Sequence, residues 1–486
     1  MNIIFNVKRH LKENILFLKK TFNKVNVKKC FTATLSAMNK TPTYILEPDF
    51  LSIFGPQVIK SYEVDNIKDV SNKLRTEAIN KMSISSLNKL DPILAEEVCS
   101  EIDRLFKLDN LKFEVVTPEE SAVTLPKSTS SGFPNFTTPK SKEIDVVCNW
   151  INTLNSDFDI DKFPTIISWR TQMRKSGIKF RQIFVVPQLI QVIENMFFRD
   201  MLQYLIKTES AYSIGNVWID NSKIFSNLHD NGKFAIGTDI ISFDQSTARY
   251  MLSLFFKWFK RKLKIRNKFQ NYLFTIVENY ATSCLIASSY DGKRCFFRKS
   301  NGVLSGSVLT NFIDTFVNAF LTIYCLKLRQ IDTNEIDFNF MGDDSLIIFR
   351  NKNLDSKIVL ANLISDCKDI FDMTISKEKS FIFNNDCEYI YYLGYYFNDK
   401  IKLFDEELTI RKLIVSERFI TEEIMTREER IWSKFCSLSF VCTDGWKFFD
   451  KYKYQLLKLM NINNLPDYYV NMIESDLLSF DPNRRA

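Results

Sequence analysis

Histidine is nearly absent, with only His10 and His229 in 486 residues. That excludes a zinc centre built on histidine, and cysteine does not replace it. The ten cysteines run from Cys30 to Cys442 without a close C-x-x-C pair, so they read as reduced, mostly structural thiols in a cytosolic setting. Glycine and proline are sparse at 12 each, and there is no Gly/Ser linker, internal repeat or low-complexity block. Lobes are therefore expected to be interleaved rather than strung on linkers. No apolar run approaches the ~18 residues of a membrane span. The opening MNIIFNVKRHLKENILFLKK breaks its apolar stretches with charge and has little Arg or Ser, which favours a basic surface helix over a mitochondrial presequence. The expectation is a protein neither secreted nor membrane-embedded.

What is abundant is aromatic, with 43 Phe and 18 Tyr, which points to a packed globular chain. The length suits about three subdomains. A net charge of +7 suits a polyanionic partner without requiring one.

Periodicity predicts helices over about 65–110, an ordered loop over Thr124–Pro139, and a helical lobe to Asn155. TQMRKSGIKFRQIFVVP reads as a β-hairpin closed at Ser176-Gly177 and ended by Pro187. KFAIGTD alternates like a strand, and residues 246–263 and 307–328 have helical length. IDFNFMGDDSLIIF reads as two strands joined at Gly342-Asp343. A helix over 354–371, short strands around 380–403 and a helical, aromatic-rich C-terminal lobe complete the pattern.

Asp343-Asp344 is the only adjacent Asp pair, set between apolar runs. Two carboxylates there repel unless a cation lies between them; a hydrophilic hairpin tip is the blander possibility. Asp239 ends another apolar strand and, on a shared sheet, would join them. An oxygen-only cluster of this kind suits magnesium and two-metal phosphoryl chemistry. Asp244 is either a helix N-cap or a group that recognises a sugar hydroxyl. Ser307, Thr310, Asp314, Asn318 and Thr322 form a polar stripe on an otherwise apolar helix, facing a ribose or satisfying itself. In the hairpin, Arg174 is expected opposite Lys179 and Gln172 opposite Arg181, with Lys179 and Arg181 on one face. A bound triphosphate would offset their repulsion, although a solvated basic hairpin is common.

In this order the pieces resemble the right-hand RNA-dependent RNA polymerases of RNA viruses. TDIISFDQS looks like motif A, SGSVLTNFIDTFVN like motif B and MGDDS like motif C. KFRQIFVVP is similar to motif F, TSSGFP to motif G, ISKEKS to motif D and YYLGYYF to motif E. The likeness spans about 125–400 and is greatest to double-stranded RNA viruses of the partitivirus and picobirnavirus type.

The resemblance implies an α+β right hand, an antiparallel palm sheet flanked by helices. Fingers would fall in 1–189 and 255–300, palm in 190–254 and 301–404, and thumb in 405–486. It implies that Asp239, Asp343 and Asp344 bind two Mg2+ ions, for which Mn2+ can substitute, and that Asp244 senses the ribose 2′-hydroxyl. Ser305 and Gly306 would form a mobile loop near the nascent pair, with Thr310 in the same motif. Lys179, Arg181 and Arg174 would serve the triphosphate. Lys377 or Lys379 would protonate the departing pyrophosphate, and Ser131, Gly132, Phe133 and Pro134 would line the template channel. The family commonly has Asn four residues after the motif B Thr; this chain has Asp314 there and Asn318 one turn later, so either is a candidate for the ribose contact.

The implied partners are RNA template and product, ribonucleoside triphosphates and viral coat protein, in the host cytoplasm within a virion. A reverse transcriptase would place an aromatic where Asp244 stands. A non-catalytic, capsid-associated RNA-binding protein would give no reason for carboxylates at a sheet end.

Overall fold

The computed structural model describes residues 3–4, 6–21, 27–38, 40–43, 45–55, 67–127, 129–134, 140–155, 158–174, 177–214, 221–351, 353–398, 404–416, 426–439 and 445–461. They form two units. The larger comprises Met1–Lys40, Asn72–Ser168 and Gln182–Leu393; the smaller comprises Thr41–Ser71, Trp169–Arg181 and Gly394–Ala486.

In the larger unit a four-stranded sheet runs Ile336–Met341, Asp344–Phe349, Phe234–Thr238, Phe381–Asn384, with every neighbour antiparallel. The central strand Phe234–Thr238 is buried at all five positions, whereas the edge strand Ile336–Met341 alternates buried and half-buried. That difference follows from sequence: FAIGT has no strongly polar side chain to turn outward, while IDFNFM places Asp337 and Asn339 on its wetter face. Tyr212 bridges the outer edge beside Phe340.

The helix Thr310–Leu328 is buried without a break from Phe312 to Leu326, as an all-round apolar helix must be. Phe312 stacks on Phe198 at 4.8 Å, and Phe316 packs on Trp258 at 4.6 Å. Aromatic contacts of this kind add about 0.5–1.5 kcal/mol each beyond area burial. The next helix, Ser356–Phe371, starts where Asp355 accepts from the amides of Lys357 and Ile358, and stops at Asp372 in the left-handed region.

A five-stranded sheet runs Ile3–Ile4, Lys293–Arg298, Leu285–Tyr290, Thr165–Arg174, Gly177–Val185. The short N-terminal strand, which sequence periodicity misses because two residues carry no period, pairs with Phe296 and Phe297.

The smaller unit packs Phe50, Leu413, Trp432, Phe435, Phe448 and Phe449 into its own core. The buried carboxylates Glu47 and Asp49 pair with Arg430, at 2.5 Å, and Arg427, since an unpaired charge there would cost several kcal/mol.

Most expected elements form, with some shifts in their bounds and one helix added. The strand Gly177–Val185 begins at Gly177, which moves the hairpin connection one residue earlier than Ser176-Gly177; residues 175–176 themselves lie outside those described. The expected helix over 246–263 is a separate turn, Phe243–Ser246, followed by Arg249–Arg261. The 20-residue helix Gln188–Lys207 was not anticipated, although Pro187 before an apolar run is a start signal. The eight cysteines whose side chains are described are free thiols, six of them buried.

Candidate active site

The sheet register builds the first part of the site. Ser345 faces Thr238 across the central strands, and their hydroxyls hydrogen-bond at 2.7 Å in a buried position. Asp344 precedes Ser345 and Asp239 follows Thr238, so one further step of the antiparallel register sets the two aspartates beside each other at the sheet's end. Asp343 sits in the turn between the hairpin strands and is exposed.

That turn is held from beneath by the helix Thr310–Leu328. Gly342, with φ +63°, donates its amide to the Thr315 hydroxyl at 2.8 Å, and its carbonyl accepts from Asn318 Nδ2 at 3.1 Å. A left-handed turn residue favours glycine, and the two side chains fix where Asp343 and Asp344 emerge.

Asp239 is tied to the segment after the helix Ser356–Phe371. Its carbonyl accepts from the Ser376 amide at 2.8 Å, and its amide donates to the Ser380 hydroxyl at 3.3 Å. Lys379 Nζ lies 3.7 Å from Asp239 Oδ1. Lys377 is exposed, and of the two lysines it is Lys379 that pairs with this aspartate. Both groups of the pair are substantially exposed, so its value lies in placement more than in stability.

Asp244 is the second residue of the turn Phe243–Ser246, whose N-cap is Ser242; Ala248 caps the following helix. The N-cap role is thus taken by other residues. Asp314 is 5 % exposed and its Oδ1 has no hydrogen-bond partner. Burial raises its pKa well above the ordinary value, and the nearby charges of Asp244 and Asp343 raise it further. The three carboxylates therefore share one electrostatic neighbourhood. Asn318 gives one N–H to the Gly342 carbonyl, and its Oδ1 is also without a partner.

Of the remaining stripe, Thr310 turns its hydroxyl to the carbonyls of Leu304 and Ser307 at 2.7 and 2.8 Å. Ser307 donates to Glu194 at 2.8 Å and Val308 gives the same carboxylate its amide at 2.9 Å. Glu194 is fully buried; burial pushes its pKa up to about 7 against the pull of those two hydrogen bonds and of Lys140. No sequence spacing marked Glu194, which lies over a hundred residues before its partners.

Ser305 and Gly306 are anchored too. Ser305 Oγ accepts from the Phe184 amide at 3.1 Å, and the Gly306 carbonyl accepts from Gln191 at 3.1 Å. A Cβ at Gly306 would fall 2.0 Å from the Phe184 carbonyl oxygen.

Ser131, Gly132, Phe133 and Pro134 are all buried. Gln188 donates its amide to the Ser131 carbonyl at 2.8 Å, and Gly132, at φ +68°, has room for no Cβ beside Val186. The loop therefore packs on the start of the helix Gln188–Lys207. In the smaller unit, Lys179 and Arg181 are exposed on either side of the buried Phe180, which places them on one face of their strand. The side chain of Arg174 lies outside those described.

Among the described residues no three His, Cys, Asp or Glu side chains close into a metal cage. The donor set at the sheet end still suits a hard cation, because carboxylate oxygens are what magnesium takes from protein while waters and phosphates complete its shell.

The model of the family described as viral RNA-dependent RNA polymerase matches residues 33–461. The RNA-directed RNA polymerase of Cryptosporidium parvum virus 1 (strain KSU-1) is 29% identical over 251 residues, which are 48% of this chain and 46% of that relative. The chain thus spans about half the length of the curated relative it matches. The RNA-dependent RNA polymerase of a human picobirnavirus superposes with a TM-score of 0.66 at 14% identity, covering 94% of this chain and 92% of that one. Its insertion-loop deletion mutant gives 0.66 at 13%, covering 93% and 94%. The mixed helix and sheet of this chain thus has the fold of those right-hand polymerases.

Proposed function

This chain belongs to the viral RNA-dependent RNA polymerase family, and we propose that it synthesises RNA on an RNA template by nucleotidyl transfer at the sheet end formed by Asp239, Asp343 and Asp344. The observation that carries this is the register that sets Asp239 beside Asp344, with Asp343 in the adjoining turn. These carboxylates would hold two divalent cations. When bound, such ions activate a 3′-hydroxyl and neutralise charge on the phosphate in transfer.

The chain's own residues then divide the remaining work. Asp244 accepts a hydrogen bond from the ribose 2′-hydroxyl. Asp314 supports it, since it shares the electrostatic neighbourhood of Asp244, while Asn318 holds the Gly342 carbonyl. Lys379, already within reach of Asp239, is favoured over Lys377 as the proton donor to pyrophosphate. Lys179 and Arg181 serve the triphosphate. The Ser131–Pro134 loop supports the template path by packing rather than by an exposed face.

The neighbours in sequence and structure are RNA polymerases, which gives neither a reverse transcriptase nor a non-catalytic binding protein any support. Template, product and ribonucleoside triphosphates are the partners of this reading. Coat protein and a place inside a virion in the host cytoplasm belong to it as well, from the relationship to a virus of this type. No helix among the described residues is long and apolar enough to cross a membrane.

The test is incorporation of UTP against dTTP on a defined RNA template with Mg2+. Preference for UTP is expected, with incorporation abolished in Asp343→Asn. Preference for dTTP, or an undiminished Asp343→Asn, contradicts the proposal.

A further inference from the structure

We propose that Lys81 is a positioning residue for sugar selection, acting through Ser242 on the turn that carries Asp244; this rests on the polymerase reading above. Lys81 stands near the end of the helix Ile67–Met82, some 160 residues before that turn, and its Nζ donates to Ser242 Oγ at 2.9 Å.

Ser242 has φ 54° and ψ 44°, a left-handed conformation that an L-residue other than glycine adopts at a cost. It stands between Asp239 and Asp244, and its carbonyl accepts from the amides of Gln245 and Ser246 at 2.9 and 3.0 Å. The orientation of the one-turn helix holding Asp244 therefore depends on Ser242 keeping this conformation. A serine at an N-cap usually turns its hydroxyl to its own helix; here it makes no such bond, and the hydroxyl accepts from Lys81 instead.

The residue after Lys81 extends the same junction. The Met82 carbonyl accepts from the amides of Ser300 and Asn301 at 2.6 and 2.9 Å. Asn301 in turn donates to Ser86 Oγ at 3.2 Å and accepts from the Arg249 amide at 3.2 Å. Gly302 then donates to the Thr247 carbonyl and Val303 to the Asp244 carbonyl, both at 2.6 Å. Gly302, at φ +89°, approaches so closely that a Cβ would lie 2.8 Å from the Asp244 carbonyl oxygen and 2.9 Å from Met82 Cε. The helix end thus grips the Asp244 turn from one side through Lys81 and from the other through residues 300–303. Among these contacts the Lys81 side chain is exposed, so it can be changed without opening the core.

The experiment compares Lys81→Met, Lys81→Arg, Ser242→Gly and the Lys81→Met/Ser242→Gly double variant in the full chain. The readouts are kcat and KM for UTP and dTTP on a defined RNA template, with Tm recorded for each. Wild type is measured first, and a wild type that prefers dTTP removes the polymerase reading and this inference together. Given UTP preference, Lys81→Met is expected to lower the UTP/dTTP ratio of kcat/KM about fivefold, the scale on which a left-handed residue loses its support, with Tm nearly unchanged. Lys81→Arg should retain much of the ratio. Because glycine takes the left-handed conformation freely, the double variant should discriminate better than Lys81→Met alone. An unchanged ratio in Lys81→Met overturns the proposal. So does a loss that Ser242→Gly fails to relieve, since that would mean Lys81 acts without Ser242.

Discussion

Two parts of the candidate site stand side by side and are placed by different means. Asp239 and Asp344 sit where they do because two buried strands pair in one register; a slip of one residue would turn Phe349, Ile347 and Ser345 to the opposite face. Asp244 and Asp314 depend instead on single contacts outside any sheet: Val303 on the Asp244 carbonyl, Gly302 against Met82, and Asp314 buried beside two other carboxylates. The first arrangement is repetitive and hard to perturb with one side chain. The second is assembled from single contacts, each of which can be removed.

The largest effect is expected where register supplies the position and the side chain supplies only chemistry. Asp239→Asn or Asp343→Asn should cut nucleotide incorporation by ~10³-fold or more, with Tm within a few degrees of wild type, as measured by single-turnover kinetics and thermal melts. A comparable fall in Tm would mean the carboxylates support the fold, contrary to their exposed places at the strand ends.

Next comes Gly306→Ala. The new methyl group meets the Phe184 carbonyl oxygen, a backbone atom that cannot rotate away. Denaturant unfolding should show destabilisation of about 3 kcal/mol with a loss of activity. Equal stability would show that this loop moves freely from its contact with Phe184.

Asp314→Ala should leave incorporation of UTP measurable but lower the UTP/dTTP ratio about tenfold. Asp314→Asn removes a buried acid whose ionisation is disfavoured, so it should keep most of the ratio and raise Tm. If alanine and asparagine discriminate equally well, the sugar contact does not pass through this residue.

The smallest effect concerns Glu194. Its folded pKa of about 7 lies above its ordinary 4.5, so the folded state binds the proton more tightly than the unfolded chain. That contribution is complete below about pH 4.5 and is lost as pH rises through about 7. Glu194→Gln, which stays neutral, should flatten this part of the Tm-against-pH curve. Lys140, pushed down to about 8 by burial, titrates above that window. An unchanged slope in the variant would assign the dependence to another group.

The same contrast explains what sequence could disclose. The hairpin Ile336–Phe349 was legible because apolar runs flank the lone Asp pair, and the strand ending at Asp239 because KFAIGTD alternates. The helix Thr310–Leu328 was legible from its length, but its expected start at Ser307 was three residues early, since Ser307 and Val308 are committed to Glu194. That choice depends on a partner more than a hundred residues away, as do the Met82 carbonyl and the close approach at Gly302. Periodicity reports which face is buried and not which distant atom is met there. The Ser131–Pro134 loop shows the same limit: its Pro, Ser, Thr and Gly content marked an ordered loop, and the tight packing of Gly132 on Val186 appears only in three dimensions.

In the proposed reading, the register of two strands brings Asp239 and Asp344, with Asp343, to a shared place for divalent cations. Anomalous diffraction from crystals of the full chain soaked with Mn2+ and a nucleotide would locate those ions. A peak within about 2.2 Å of carboxylate oxygens from Asp239 and from at least one of Asp343 and Asp344 is expected. Manganese bound elsewhere, with the Asp239 carboxylate remote from both others, would contradict it.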